Sequence, residues 1–361
     1  MLTFDLKRRS EPIVSPVAKS ALLACSIITA FLIGGVLIEI LGASPILGYR
    51  ALLAGAFGSI GGFIDVIVKA TPLLLTGLGT AVAFGSGQFN IGSEGQIYMG
   101  ALVAAWVDLT FQGLPKPILL GLAILGGATG GAAWALIPAA LKAFRGVNEL
   151  IPSLMSNYVA ILIIRYLVNG PMQQPDSYMP QTALVPARLP LLSPAPYRLH
   201  AGFVLALCMT AAVYILMRRT SLGFGFRAVG ASPAAAKYGG VRIRQTVLLV
   251  MIISGGLSGL AGANELLGFH YRLIEGFSAG YGFTGILVAL LGRLNPVGVA
   301  AASFLFSSLS VGANNMQRIL KIPSSIAGII QSIVVLLVLG TQVLLEYRPS
   351  VSFSPTRRTV D

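Results

Sequence analysis

At 361 residues, 55% of them hydrophobic and only 10% charged, the chain falls far below the roughly 25% charge of soluble domains and cannot be a water-soluble globule. The net charge of +13 does not point to nucleic acid, because the Lys and Arg residues are spread through loops and tails instead of forming one basic domain. Cys25 and Cys208 lie far apart inside apolar runs, without the spacing of a disulfide framework or a metal site.

Apolar runs long enough to cross a bilayer predict an all-α integral membrane protein, a polytopic bundle of about 10 transmembrane helices (about 8–10). The runs fall at 20–41, 63–84, 92–110, 117–141, 148–168, 200–217, 245–267, 279–292, 296–313 and 322–345. They leave an N-terminal tail over 1–19, a transmembrane domain over 20–345 and a C-terminal tail over 346–361. With both termini cytoplasmic, Lys7, Arg8, Arg9, Lys19, Lys142, Arg145, Arg293, Arg348, Arg357, Arg358 and the cations of 218–244 all fall inside, as the positive-inside rule requires. The first run lacks a small-residue cleavage site and is read as a span, not a removed signal.

After the first run, Ser44–Gly61 is broken by glycine and reads as a helix along the outer surface or a partly inserted hairpin. Gly85–Gln96, GSGQFNIGSEGQ, is a polar break in an otherwise apolar stretch. One reading is a tight turn in which Ser93 and Gln96 form a capping box and Glu94 suits the helix dipole. The other is a broken helix beside a solute path, where irregular backbone at membrane depth is tolerated. Gln88, Asn90, Glu94 and Gln96 could then hydrogen-bond a solute, with Phe89, Tyr281 and Phe283 offering ring faces.

Glycines recur at helix-packing spacing at Gly126, Gly127, Gly130 and Gly131, and again at Gly255, Gly259 and Gly262, where small residues let membrane helices approach closely. Asn148 and Asn295, the latter followed by Pro296, read as helix caps. The loop over 169–199 carries Pro171, Pro175, Pro180, Pro186, Pro190, Pro194 and Pro196 and is predicted to be ordered without regular structure, a docking surface on the outer face.

The loop over 218–244, RRTSLGFGFRAVGASPAAAKYGGVRIR, is the longest charged interruption and holds no acidic residue. Ser232 is a good N-cap, Pro233 suits the first helical position, Ala234–Tyr238 favour helix, and Gly239 with Gly240 supply a stop. A helix of roughly two turns is marginal alone and needs packing from its own domain or a docked protein.

Arg227-Ala228-Val229-Gly230 followed by Ala234-Ala235-Ala236-Lys237-Tyr238-Gly239 resembles the coupling segment of bacterial ABC importer permeases, in the superfamily that moves branched-chain amino acids, sugars and nucleosides. Asn90-Ile91-Gly92-Ser93-Glu94-Gly95-Gln96 and Gly280-Tyr281-Gly282-Phe283-Thr284-Gly285-Ile286 through Gly292 are similar to signatures of the nucleoside, basic membrane protein-dependent branch. Leu287 departs from that pattern, which leaves the solute more open. Gly100–Ala104 and Gly285–Ala289, in predicted helices of opposite direction, form a faint internal echo of the kind a weak inverted repeat would require.

The resemblance further implies a multi-pass protein of the bacterial cytoplasmic (inner) membrane. The partners would be an ABC ATPase subunit, a second permease subunit of different sequence, an extracytoplasmic solute-binding lipoprotein and membrane lipid, with no nucleic acid. Arg227, Gly230, Ser232, Pro233, Ala234, Ala235, Ala236, Tyr238 and Gly239 would couple to the ATPase. Without a GxxxxGK[ST] phosphate loop the chain would carry no cofactor, ATP and Mg being held by that partner, and would not itself be an enzyme. The expected cargo is a small uncharged polar solute, a nucleoside first, a sugar or branched-chain amino acid next. A secondary transporter or channel is the further alternative; no HExxH motif or close carboxylate pair supports an intramembrane enzyme.

Overall fold

The computed structural model describes residues 2–8, 16–175 and 177–353. These form two compact units, Leu53–Gly312 and a second built from Met1–Leu52 with Ala313–Asp361. In the second unit α1 (Pro16–Ile40) is followed, after a 113° bend, by α2 (Pro45–Phe57). Of the stretch 44–61, Pro45–Phe57 is helical and Ile60 already opens the next helix. The last helix, α13 (Ser325–Glu346), packs on α1, where Ser26 and Thr341 share a hydroxyl–hydroxyl hydrogen bond of 2.7 Å. A short antiparallel ribbon pairs Leu2–Arg8 with Tyr347–Phe353; the alternation of Leu2, Phe4 and Leu6 suits a strand period.

The larger unit holds α3 (Ile60–Gly85), α4 (Ser93–Thr110), α5 (Lys116–Arg145), α6 (Leu150–Val168), α7 (Gly202–Arg219), α8 (Ser221–Ala231), α9 (Pro233–Tyr238), α10 (Ile243–Glu265) and α11 (Tyr281–Leu291). α10 continues into a π-helical turn, Leu266–His270. The helix α12 (Pro296–Leu320) begins here as well, with Asn295 Oδ1 accepting from Val297 N at 3.2 Å, the cap expected before Pro296.

Every predicted run carries a helix, but not every one is a full span. Among the described residues six helices are long and apolar enough to cross a membrane, or seven if the bent α1–α2 pair is one span. The predicted span 92–110 is helical, yet its opening Ser-Glu-Gly-Gln and Asp108 make it too polar to qualify. The predicted span 279–292 is a helix of 11 residues. That is about 16 Å, half the hydrocarbon thickness.

Glycine decides where the core sits. A β-carbon on Gly131 would lie 2.3 Å from Gly255 O, one on Gly259 2.2 Å from Gly127 O, and one on Gly262 2.0 Å from Ile97 O. These contacts press α10 against α5 on one side and α4 on the other, backbone to backbone, as the glycine spacing predicted. Replacing Gly131 with Ala should separate α5 from α10 and cost about 1–3 kcal/mol, the range for overpacking. A melting temperature in detergent equal to that of the unaltered protein would contradict this packing.

Candidate functional site: a re-entrant segment between two helix starts

The polar break turns tightly just after α3, where Gly87 N donates to Phe84 O at 3.0 Å and Gln88 N to Ala83 O at 2.9 Å, but it does not stay at one end of the bundle. Gly79 lies against Ser254, since a β-carbon there would be 2.7 Å from Ser254 O. Asn90 Nδ2 donates to Ser254 Oγ at 2.8 Å. Asn90 is therefore level with Gly79, about 9 Å back along α3 from its end at Gly85. Residues 86–92 re-enter the bundle, and α4 starts at depth.

α11 also starts inside. Thr76 Oγ1 lies 3.4 Å from Tyr281 O, which sets the start of α11 about 13 Å from the same end of α3. The two helix starts touch: a β-carbon on Gly282 would be 2.2 Å from Glu94 N. Glu94 Oε2 accepts from Gly282 N at 2.7 Å. A carboxylate from the first turn of α4 thus caps the positive end of α11, which has no side-chain cap of its own.

The rest of the break is held by amides. Asn90 and Gln96 exchange two hydrogen bonds, each of 3.0 Å, and Asn90 Oδ1 also accepts from Gly92 N at 3.0 Å. Asn157 of α6 spans the next step, its Oδ1 accepting from Gly95 N at 2.8 Å and its Nδ2 donating to Ile91 O at 2.9 Å. On the far side Glu149 Oε1 accepts from Phe89 N at 2.9 Å and pairs with Lys142. Burial alone would raise the Glu149 carboxyl, but the Lys142 ammonium and the Phe89 N–H hold it below the usual carboxylate range.

The expected capping box is absent. The N-cap position is Gly92, Ser93 is already helical with its hydroxyl unpartnered, and the Gln96 amide reaches Asn90 instead. The reason is geometric: the paired amides make two bonds at once, which a Ser93–Gln96 box could match only by exposing Asn90 to a dry interior.

Of the expected pathway residues, Gln88, Asn90, Glu94 and Gln96 are all buried and lie together around the break. The rings of Phe89 and Phe283 are exposed, while Tyr281, two residues before Phe283, is only partly so. Phe89 meets Phe84 edge-on with centroids 5.2 Å apart.

Residues missed in the sequence join this site. Asn157 and Ser254 are polar positions in apolar runs, a signal that was readable. Glu265, nearly inaccessible, meets His270 at 3.5 Å. Their spacing of five residues matches the π-helical turn and not an α-helix, so the pair is invisible to α-helical periodicity. Glu94 and Glu265 are both buried carboxylates. The Tyr98 ring meets that of Phe277, in the segment leading to α11, at a tilt of 57° with centroids 4.8 Å apart.

The 218–244 loop holds more helix than expected. Arg227-Ala228-Val229-Gly230 belongs to α8, an amphipathic helix with Phe226 and Val229 buried and Leu222, Phe224 and Arg227 exposed. α9 follows as a separate helix. Ser232 Oγ accepts from Ala235 N at 3.3 Å, Pro233 is its first residue and Gly239 its C-cap. Pro233, Ala234, Ala235 and Gly239 face solvent, Ala236 is buried, and Tyr238 is 96% exposed. A cleft of about 710 Å³ beside it is lined by Lys237, Val241, Arg242, Ile243, Arg244 and Gln245. Gly230 rests on the break itself: a β-carbon there would lie 2.7 Å from Gly85 O.

On the opposite edge the proline-rich loop lies along the segment that precedes α11. Thr182 N donates to Leu273 O at 3.0 Å, Val185 N to Tyr271 O at 2.9 Å and Leu189 N to Leu267 O at 2.9 Å. Asp108, at the end of α4, accepts from Ala187 N at 3.1 Å.

Comparison with known proteins gives the family. The family model described as branched-chain amino acid transport system / permease component matches residues 62–339. The chain belongs to this family. The permease is 35% identical over 339 residues to the glucose ABC transporter permease protein TsgB13 of Haloferax volcanii, covering 91% of this chain and 89% of that one. It is 37% identical over 320 residues to the guanosine ABC transporter permease protein NupP of Bacillus subtilis, covering 87% and 91%. With the nucleoside ABC transporter permease protein NupB of Lactococcus lactis it shares 32% over 307 residues, 81% and 83% of the two chains. No solved structure matches. The permease is thus a multi-pass membrane subunit of the ABC-transporter type, a transport component and not a catalytic one.

Removing the Asn157 side chain tests the site directly. Asn157→Ala leaves Gly95 N–H and Ile91 C=O without partners, and each unmatched buried group costs about 1–3 kcal/mol. The variant should lose several degrees of melting temperature in detergent; an unchanged melt would mean the two groups find other partners.

Proposed function

We propose that this permease forms one half of the path by which a bacterial ABC importer carries a nucleoside across the cytoplasmic membrane. The observation that carries this reading is the pair of helix starts meeting inside the bundle with their positive ends already taken. Glu94 accepts from Gly282 N at the start of α11, and Asn90 and Asn157 accept from Gly92 N and Gly95 N at the start of α4. Open helix starts at membrane depth attract anions. Closed ones leave amides and aromatic rings, surroundings for an uncharged, hydrogen-bonding solute. The relatives named for guanosine and nucleosides favour a nucleoside, and the exposed rings of Phe89 and Phe283 are what remain to meet a base. The buried Gln88, Asn90, Glu94 and Gln96 set where the walls stand, with Tyr281 at the start of α11.

In this reading the chain crosses the membrane ten times, counting α4 and α11 as crossings completed by their irregular segments, and both termini are cytoplasmic. An ATPase subunit holding ATP and Mg docks on Ala234, Ala235 and Tyr238 with Arg227 beside them. Ser232, Pro233 and Gly239 fix the ends of the docking helix, and Ala236 anchors it. A second, different permease subunit completes the path, and a solute-binding lipoprotein sits on the 169–199 loop. The basic, apolar-edged cleft at Lys237–Gln245 and the exposed ring of Tyr238 support docking at that loop.

Reconstitution in liposomes with these partners tests the proposal. Guanosine uptake should require ATP and be competed by other nucleosides but not by glucose. Glucose uptake in place of guanosine would support the sugar reading, to which the Haloferax relative lends weight. Uptake by the permease alone would replace both with a secondary transporter.

A further inference from the structure

We propose that Gly230 is a positioning residue: bare of a side chain, it lets the docking loop bear directly on the backbone of Gly85–Gly87 and pass its displacement to the re-entrant segment. The inference rests on the reading of 218–244 as the ATPase dock and adds the route by which that dock acts.

The contact is backbone on backbone from both sides. A β-carbon on Gly230 would lie 2.7 Å from Gly85 O, 3.0 Å from Ser86 C and 3.1 Å from Gly87 N; one on Gly87 would lie 3.1 Å from Gly230 Cα. Gly87 has φ +69°, a left-handed conformation that also favours glycine there. α8 cannot slide away freely, because Phe226 and Val229 on its inner face are buried, and Ser232 alone joins it to α9.

The segment it presses is gripped elsewhere. Glu149 holds Phe89 N, Asn157 holds Ile91 O, and Asn90 is tied to Ser254 and Gln96. A push at residues 85–87 therefore reaches fixed points three to five residues later, and immediately after them stands Glu94, the cap of α11. Packed backbone contacts of this kind have few intermediate positions and transmit small shifts instead of absorbing them.

The test uses the whole complex of permease, ATPase and binding protein. Retention of the ATPase by Gly230→Ala is read by co-purification, and transport is scored only in complexes that hold it. Solute moved per ATP hydrolysed should fall about 3- to 30-fold, the span of coupling changes seen for such positions. An unchanged ratio overturns the proposal. Should the variant not fold, hydrogen–deuterium exchange on the unaltered complex decides: amides of residues 86–92 should change protection together with those of 221–238 on ATP binding. Change confined to 221–238 overturns the route while leaving the dock intact. Failure of the unaltered permease to retain the ATPase overturns the docking reading instead, and with it the premise of this inference.

Discussion

Glu94→Ala should lower folded protein and uptake together. The substitution strips the start of α11 of its cap and leaves Gly282 N–H facing nothing. Losing a cap costs about 0.5–2 kcal/mol, and an unmatched buried N–H about 1–3 kcal/mol. Both figures describe the one Gly282–Glu94 bond, so a loss of about 1–3 kcal/mol is expected, large beside the total stability of most domains. Gln at the same position keeps a carbonyl oxygen within reach of Gly282 N and should recover most of the folded protein, although its uncharged oxygen suits the helix dipole less well. The measurement is yield of monodisperse protein in detergent beside uptake per folded molecule. Full folding of the Ala variant with uptake abolished would make Glu94 a residue of the path and not a cap.

Ala235→Arg should abolish uptake while leaving the membrane domain intact. Ala235 is solvent-facing on α9 and contributes only its backbone N–H to the Ser232 cap. A long cation there disturbs nothing within the permease, and Arg is a good helix former. It would however stand between Ala234 and Tyr238 on the surface offered to the ATPase, where a charge buried without a partner is strongly unfavourable. Co-purification of the ATPase should drop by more than about tenfold, equivalent to roughly 1.4 kcal/mol of lost binding. Retained ATPase with normal uptake would remove this surface from the dock.

The helices were legible because most of them are apolar runs with ordinary punctuation. Asn295-Pro296 and Ser232-Pro233 start helices where the local chemistry says they should. Glycine spacing correctly marked the contact of α5 with α10. What escaped was long-range. Nothing near Glu94 in sequence says that its acceptor role is owed to Gly282, 188 residues on. The Asn90–Gln96 pair outcompeted a local capping box because the site is dry, a property of the surrounding helices and not of the segment. α8 was missed because SLGFGFRAVGA carries three glycines, each costing about 1 kcal/mol in a free helix. Its burial of Phe226 and Val229 offsets them. The π-helical turn hid Glu265 from His270, since the pairing period it imposes was never among the patterns sought.

The glycine-lined seam of α4, α5 and α10 also bears on how such a permease can work. Where main chains touch, no rotamer can swing aside and no lipid tail can enter, so these three helices have no play between them. They must tilt as one stiff plate. Opening and closing then fall to the parts of the bundle outside this seam.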